Sequence, residues 1–195
     1  MVPGIPDQAD DRIPGVQRAQ AEADRLEATI STRSAELSAE FKPVTFEQVQ
    51  SVIPSDAVLI EIVSYQPFNP SYKMNSEMWG ESKYAAYALR HDGSPKWVDL
   101  GGAKAIDDLA RQFRVALRDR KSTNTKELGR KLYEKLIGPA SSLIAGAHRV
   151  LLSPDSELSL IPFGALVDEH NQYLIERYSF TYLTSGRDLL RIANT

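Results

Sequence analysis

The side chains best suited to acid–base catalysis in this chain are its three histidines, His91, His148 and His170. A catalytic histidine works beside a nucleophile and beside a third group that orients its ring. His91 adjoins the turn sequence HDGS, His148 precedes the apolar run RVLL, and His170 lies within the loop sequence DEHNQ. Because turn-forming residues flank each of them, we interpret all three as solvated loop histidines.

Signatures of a nucleophile or of a metal site are missing from the sequence. The chain has no cysteine, which excludes a cysteine nucleophile, a disulfide and a zinc–thiolate site within these 195 residues. It has no GxSxG motif, and the serines of SPDSELS stand beside a proline and an aspartate, as turn residues do. The HExxH motif is missing too, and no histidine has another within four residues. We therefore assign no catalytic residue, no metal ligand and no cofactor.

Adjacent carboxylates and a glycine pair offer weaker possibilities. The side chains of Asp107-Asp108 and of Asp168-Glu169 diverge on a helix or strand, so we expect them to be solvated or to act as helix-cap charges. Gly101-Gly102 precedes a predicted helix, an arrangement that can bind phosphate. Neither GxxxxGKS/T nor GxGxxG is present, however, and Asp107-Asp108 would repel an anion there. We therefore predict no nucleotide site.

Four basic residues follow one side of the predicted helix RQFRVALRDRK: Arg111, Arg114, Arg118 and Lys121. We interpret this positive stripe as solvated helix surface; docking of an acidic partner, nucleic acid included, is the alternative. The chain has 23 lysines and arginines against 26 aspartates and glutamates, and this net charge of −3 disfavours nucleic acid.

Composition is typical of a soluble globular protein, with 42 % hydrophobic and 25 % charged residues. No apolar run approaches the roughly 18 residues of a membrane span. The start, MVPGIPDQADDRIPGVQ, has neither the basic region nor the apolar core of a secretory signal. We predict a cytoplasmic protein without membrane association.

The N-terminal part is predicted to contain an arm and a helix. Residues 1–15 are rich in proline, glycine and aspartate, which predicts a disordered arm or linker. Residues 16–40 predict one helical face, because small or apolar side chains recur three and four positions apart. Those side chains are Val16, Ala19, Ala23, Leu26, Ile30 and Leu37. Since the face is thin, we expect the helix to pack on the following domain or to end an upstream helical region; a short coiled coil is the alternative.

Residues 41–195 are predicted to form an α/β domain with a mixed sheet. The capping-box sequence TFEQ begins a short helix, and AVLIEIVSY, YAAYALRH and PKWVDLG are predicted strands. Asp92-Gly93 predicts a hairpin turn, and the loop at 66–83 is predicted to be exposed and mobile. Two amphipathic helices precede the strand RVLLSP. Their inward-facing residues are Ile106, Leu109, Ala110, Phe113 and Leu117, then Leu128, Leu132, Leu136 and Ile137.

The C-terminal third resembles the CHAT domain, a family of caspase-like proteins that often follow tetratricopeptide-type helical repeats. The matching segments are Ser153-Pro154-Asp155, Leu158, Leu160-Ile161-Pro162-Phe163, Ala165-Leu166, Tyr173 to Tyr178, and the helix opening Thr184 to Leu189. Upstream, VTFEQVQSVIPSDAVLIEIVSY is similar to the family's first helix and strand, and YAAYALR and WVDLGGAKAIDDLARQFRVAL to the hairpin and helix that follow. The resemblance covers about residues 41–194.

Two features of local structure within these segments can be predicted from the residue types alone. Pro162 lacks an N–H donor, so we expect the chain to leave the sheet there, with Phe163 and Leu166 packing beneath it. Ser185 is a suitable N-cap, and Asp188 stands at the N3 position of a capping-box relative.

The resemblance implies a caspase-like mixed sheet with flanking helices, of which this chain is the incomplete N-terminal part, preceded by the N-terminal helix. Active members use a histidine and a cysteine on loops at one end of the sheet, and both follow the SGRDLL helix. None of the three histidines here matches that catalytic position, so the chain alone is predicted to be inactive.

Three functions stay open at this point. In the first, the chain is part of a cysteine endopeptidase whose dyad lies after Thr195. In the second it is a protease-dead binding or scaffold module, and in the third it is one subunit of a split domain. The resemblance also implies protein partners, namely upstream helical repeats, the remainder of the CHAT domain or a protein substrate.

Overall fold

The computed structural model of the chain describes residues 22, 25–26, 44–71, 73–74 and 78–193. Of the predicted arm at 1–15 and the predicted helix at 16–40, only Glu22, Arg25 and Leu26 are described, and these three residues are helical and exposed. The remainder of both predictions lies outside the described residues. The second of the two compact units of the chain begins at Thr45.

A short helix, α1 (Phe46–Ser51), opens this unit because Thr45 caps it. The Thr45 hydroxyl accepts a hydrogen bond from the Gln48 N–H at 3.3 Å, and the Gln48 side-chain oxygen accepts one from the Thr45 N–H at 2.9 Å. Two N–H groups that the helix leaves unpaired are thereby satisfied. The predicted capping box is confirmed.

The core of the unit is a five-stranded mixed sheet of order β3-β2-β1-β4-β5. Its strands are β1 (Ala57–Tyr65), β2 (Lys83–Leu89), β3 (Lys96–Gly102), β4 (Arg149–Ser153) and β5 (Ser179–Tyr182). Strands β1, β2 and β3 form an antiparallel meander, whereas β4 runs parallel to β1 and β5 parallel to β4. The predicted fold class, a mixed sheet with an antiparallel hairpin section and helical crossovers, is confirmed.

Three helices cover one face of the sheet: α2 (Ala103–Arg118), α3 (Thr125–Leu136) and α4 (Ser141–Ile144). Most predicted inward positions are buried in one core against alternate residues of β1, β2 and β4. Leu117 is an exception, since 40 % of it is exposed. The prediction for Leu117 was wrong because the last turn of α2 borders an open groove beside β5.

Beyond the opposite face of the sheet, α1 and α5 (Asp188–Ile192) contact each other, and Gly186, just before α5, lies close to Leu59 of β1 and Val49 of α1. Val58, Ile60 and Ile62 face the α2–α3 core, so the alternating side chain of Leu59 points to the other side. Leu59 is buried there, and Gly186 approaches so closely that an added Cβ would lie 2.7 Å from the Leu59 Cδ2 atom. The unit is therefore a sheet between two layers of helix.

Irregular segments complete the fold. The β1–β2 loop, predicted to be exposed, does expose Phe68 and Trp79. The rings of these two residues contact edge to face with centroids 5.4 Å apart, and their backbones form an isolated antiparallel bridge. The β4–β5 crossover consists of 3₁₀ turns at Ser156–Leu160, Phe163–Ala165 and Leu174–Glu176. Phe163 and Leu166 are fully buried, as predicted, but the chain leaves the sheet before Pro162, because β4 ends at Ser153.

Candidate functional site

The carboxyl ends of the three parallel strands β1, β4 and β5 lie together at one end of the sheet. We call this end of the sheet the carboxyl edge. Open α/β sheets usually bind ligands outside this edge, so it is the first place to look for chemistry. Glu61, Ser153, Asp155 and Asp188 are among its polar side chains. What these groups can do depends on how they are hydrogen-bonded.

Ser153 and Asp155 tie the end of β4 to its neighbours. The Ser153 hydroxyl donates to the Thr184 carbonyl at 3.0 Å, which fastens β4 to the segment after β5. The Asp155 carboxylate accepts from the Ser64 N–H at 3.1 Å and from the Ser156 N–H at 2.7 Å. Both side chains therefore hold strand ends together.

Glu61 and Asp188 hold the turn into α5. The Glu61 carboxylate accepts from the Gly186 N–H at 2.6 Å, and Asp188 accepts from the N–H groups of Thr184 at 2.8 Å and Ser185 at 3.3 Å. These backbone donors hold the pKa of Asp188 below its ordinary value. The predicted bond from the Ser185 N–H to the Asp188 carboxylate is present, but the prediction of Ser185 as N-cap was wrong, because α5 begins at Asp188 and its N-cap is Arg187.

None of the described histidines lies at the carboxyl edge beside these groups. His148 precedes β4 and His91 follows the antiparallel β2, so both stand at the opposite edge. His91 places its Nδ1 atom 3.1 Å from the Ile53 carbonyl, and His148 donates its backbone N–H to Asp56. All three histidines are exposed, as expected of solvated loop histidines.

His170 belongs instead to an acidic loop, Asp168-Glu169-His170. Asp168 was predicted to be solvated, and this prediction was wrong, because its side chain is fully buried. One carboxylate oxygen accepts from the N–H groups of His170 and Gln172, each at 2.9 Å, and the other lies 3.1 Å from the Arg177 guanidinium. Burial favours a higher pKa for Asp168, but the Gln172 N–H, the Arg177 guanidinium and the His170 N–H together hold that pKa below its ordinary value.

The acidic loop is the group among the described residues whose side chains could hold a metal ion. One ligand atom from each of Asp168, Glu169 and His170 lies within 4.8 Å of the others. The Asp168 carboxylate already accepts hydrogen bonds from two backbone N–H groups and from Arg177. The Tyr133 hydroxyl donates a hydrogen bond to the Glu169 carboxylate. These hydrogen bonds hold the acidic loop in place, so Asp168 and Glu169 have a structural role in this fold.

The remaining sequence candidates are also engaged within the fold. Gly101-Gly102 ends β3 directly before α2, and its neighbourhood is already hydrogen-bonded: the Asp99 carboxylate accepts the Gly101 N–H at 2.7 Å and the Ser82 carbonyl accepts the Ala103 N–H at 2.8 Å. Asp107 accepts from the buried Tyr84 hydroxyl at 2.7 Å, whereas its neighbour Asp108 pairs with Arg111 at the surface. The two carboxylates of this pair diverge, as predicted.

The basic stripe on α2 is partly neutralised. Arg111 pairs with Asp108, and Arg114 lies 2.9 Å from the carboxylate of Glu157 in the β4–β5 crossover. Two of the four basic side chains therefore already have acidic partners inside this unit. The pairing reduces the positive potential that an acidic partner or nucleic acid would need.

An apolar groove beside β5 is the feature that sequence reasoning missed. It has a volume of about 950 Å³, and Leu117, Pro162, Ile175, Tyr178, Phe180 and Tyr182 are among the residues that line it. Ile175 is 69 % exposed and Tyr182 is 48 % exposed. The available signal was Ile175 itself, a large aliphatic residue directly before the charged pair Glu176-Arg177. We call this feature the β5 groove.

The sheet and its flanking helices place the described unit in the α/β class. A mixed five-stranded sheet between helical layers is consistent with the caspase-like α/β fold. Residues 126–195 match the family model of the CHAT domain, which confirms the resemblance over that part of the chain. No curated protein matches the chain. Among the described residues, no helix is long and apolar enough to cross a membrane.

Proposed function

We propose that this chain is the non-catalytic N-terminal part of a CHAT-domain protein whose full-length form is a caspase-like cysteine endopeptidase. The observation that carries the proposal is the carboxyl edge, where Ser153, Asp155, Glu61 and Asp188 all bond to backbone groups of their own unit. Side chains committed in this way position strand ends and turns. The histidine–cysteine dyad is then expected in sequence after residue 195.

The chemistry of peptide hydrolysis supports this division of labour. A cysteine peptidase needs a thiolate nucleophile and a histidine that accepts and returns a proton. The chain contains no cysteine, and its described histidines stand away from the carboxyl edge. What this part contributes is a rigid sheet, whose strand ends are joined by charge-assisted bonds to backbone N–H groups.

A second candidate is a binding or scaffold module without peptidase activity, or one subunit of a split domain. The specific observation in its favour is the β5 groove, an exposed apolar surface next to an edge strand. In both candidates the partner is protein: upstream helical repeats, the rest of the CHAT domain or a substrate. The partial neutralisation of the α2 stripe and the net charge of −3 argue against nucleic acid.

A comparison of two purified proteins tests the proposal. The 195-residue chain and the intact natural polypeptide, identified by its mass with an antibody to this chain, are incubated with fluorescently labelled casein. We expect the 195-residue chain to hydrolyse casein no faster than background. We expect the natural polypeptide to be heavier than 21.7 kDa and to hydrolyse casein, and iodoacetamide to abolish that hydrolysis. Turnover by the chain itself that resists thiol reagents would refute the non-catalytic assignment. A natural polypeptide of 21.7 kDa, or a longer one without activity, would favour the binding module.

A further inference from the structure

The turn between β5 and α5, residues 183–187, is bound by side chains from two neighbouring strands. Glu61 of β1 and Ser153 of β4 are partners in the parallel register, so their side chains lie next to each other on one face of the sheet. The Glu61 carboxylate accepts the Gly186 N–H at 2.6 Å, and the Ser153 hydroxyl donates to the Thr184 carbonyl at 3.0 Å. An acceptor and a donor that stand side by side therefore hold two points of one turn.

The turn approaches the sheet as closely as glycine permits. A Cβ added to Gly186 would lie 2.7 Å from the Leu59 Cδ2 atom and 3.1 Å from the Glu61 Oε1 atom. Without that Cβ, the Gly186 N–H reaches the carboxylate at the short distance of a charge-assisted bond. The position of the turn is thus fixed by contact and by hydrogen bonding at the same residue.

A carboxylate at position 61 serves precision more than stability. Glu61 is half-buried, and burial removes water from its charge, so the net stabilisation that it contributes is small. Its bond nevertheless favours one arrangement of the turn, because a shift of Gly186 would take away a donor that compensates for the lost water.

The start of α5 is joined to the same turn. Asp188, the first residue of α5, accepts the N–H groups of Thr184 at 2.8 Å and Ser185 at 3.3 Å. The chain runs through α5 toward residue 195, and the proposed function places the histidine–cysteine dyad after that residue. Glu61 is therefore connected, through the turn and α5, to the segment that leads to the reacting groups.

We propose that Glu61 is a positioning residue for peptide hydrolysis: by holding the Gly186 N–H it sets the direction of α5 and so the alignment of the dyad that follows. This inference rests on the proposed function and adds a residue of this chain to its site. Catalytic groups must be held within about 0.5 Å, and a misplacement of about 1 Å can lower the rate about a hundredfold. Loss of the Glu61 bond should therefore reduce turnover more than substrate binding.

Two variants of the intact natural polypeptide separate the hydrogen bond from the rest of the side chain. Glu61→Gln keeps an oxygen that can accept the Gly186 N–H, whereas Glu61→Ala removes it. With labelled casein, we expect Glu61→Ala to lower kcat roughly tenfold to hundredfold at a KM within about twofold, and Glu61→Gln to keep kcat within about threefold. Glu127→Ala is the matched control, since it removes an exposed glutamate that pairs with Lys131 on α3, and it should leave both constants unchanged.

A merely structural role of Glu61 predicts a different pattern. Glu61→Ala would then lower the unfolding midpoint and leave kcat per folded molecule unchanged, so the folded fraction is measured by circular dichroism at the assay temperature. Unchanged kcat per folded molecule would overturn the proposal. Equal losses of kcat in the alanine and glutamine variants would also overturn it, because the bond to Gly186 would then not be the cause.

Ser153→Ala keeps the test decisive if Glu61→Ala does not fold. It removes the neighbouring side-chain bond to the turn, at the Thr184 carbonyl, and should lower kcat in the same direction. A Ser153→Ala variant that folds and keeps its kcat would overturn the proposal, since the position of the turn would then not matter for turnover.

Hydrogen exchange in the 195-residue chain checks the bond itself. We expect the Gly186 amide to exchange at least roughly tenfold faster in Glu61→Ala than in the native chain, and at the native rate in Glu127→Ala. In Glu61→Gln the exchange should stay close to native. Equal protection of Gly186 in Glu61→Ala and the native chain would overturn the proposal.

Failure of this inference and failure of the proposed function give different results. A natural polypeptide that does not hydrolyse casein overturns the proposed peptidase function, and the role of Glu61 in catalysis with it. An active natural polypeptide whose Glu61→Ala variant keeps its kcat overturns this inference alone.

Discussion

Replacement of Asp168 by asparagine removes one charge from the most deeply buried carboxylate among the described residues while keeping its shape. In the native protein the carboxylate accepts the His170 and Gln172 N–H groups and pairs with Arg177. The asparagine oxygen can keep the two N–H bonds. Its amide group, however, then faces the Arg177 guanidinium, so a charge-assisted bond is replaced by two opposed donors.

The size of the effect follows from how the pair is placed. Breaking a fully buried ion pair costs about 3–5 kcal/mol, whereas an exposed pair contributes about 0–1 kcal/mol. The Asp168 side chain is fully buried, but that of Arg177 is 44 % exposed and remains hydrated after the change. We therefore expect a loss of about 2–3 kcal/mol in the free energy of unfolding, and a Tm lower by about 5–10 °C for a unit of this size.

Urea unfolding followed by circular dichroism between pH 2.5 and 8 measures this difference. The folded-state pKa of Asp168 lies below its unfolded value, so its contribution is fully present above the unfolded pKa of about 3.9. The contribution is lost as the pH falls through the lower, folded pKa. We expect the difference in unfolding free energy between the native protein and the variant to be constant from pH 5 to 8 and to shrink below about pH 4.

Asp92→Asn in the exposed β2–β3 turn is the matched control, since it makes the same chemical change at a solvated carboxylate. It should leave the unfolding midpoint unchanged. Equal midpoints for Asp168→Asn and the native protein would refute the reasoning. So would a gap that persists undiminished at pH 2.5, because the charge of the carboxylate would then contribute nothing.

Three further substitutions probe other parts of the unit, each measured by urea unfolding. Gly186→Ala places a Cβ 2.7 Å from the Leu59 Cδ2 atom and should cost about 1–3 kcal/mol through overpacking; an unchanged midpoint would contradict the close approach of α5 to the sheet. Tyr84→Phe removes the hydroxyl that donates to Asp107 and should cost about 1–2 kcal/mol, and no cost would mean that water replaces this donor. Leu132→Ala empties a fully buried site in the α3 core and should cost about 2–5 kcal/mol, whereas a loss below about 1 kcal/mol would show that the core collapses around it.

Features decided by neighbouring residues were predictable from the sequence. The capping box of Thr45 and Gln48 depends on a three-residue spacing, and it forms as expected. Strand β1 occupies AVLIEIVSY, where β-branched residues dominate. The buried faces of α2 and α3 follow the helical period up to the last turn of α2.

Features decided by distant residues were not predictable. Glu61 bonds to Gly186 across 125 residues, and Ser64 to Asp155 across 91, so the closure of the carboxyl edge depends on the order of strands in the sheet. The burial of Asp168 depends on a turn that folds its N–H groups back and on Arg177 nine residues later. Leu117 has the helical period of a core residue, and only the position of β5 shows that a groove lies beside it.

Strands β1 and β4 are neighbours in space but are synthesised far apart in time. Asp56 and Arg149, at the start of their pairing, are separated by 93 residues. At about 5–20 residues per second a ribosome needs roughly 5–20 s to make that stretch. From the synthesis of β2 until that of β4, β1 has β2 on one side and on the other a bare edge rich in valine, leucine and isoleucine, which is a template for aggregation. Stalled nascent chains should therefore stay protease-sensitive and bind chaperones until Ser153 has left the exit tunnel, and protection acquired earlier would show that the meander folds without β4. Translation speed between β3 and β4 thus becomes a determinant of how much of this protein reaches its native state.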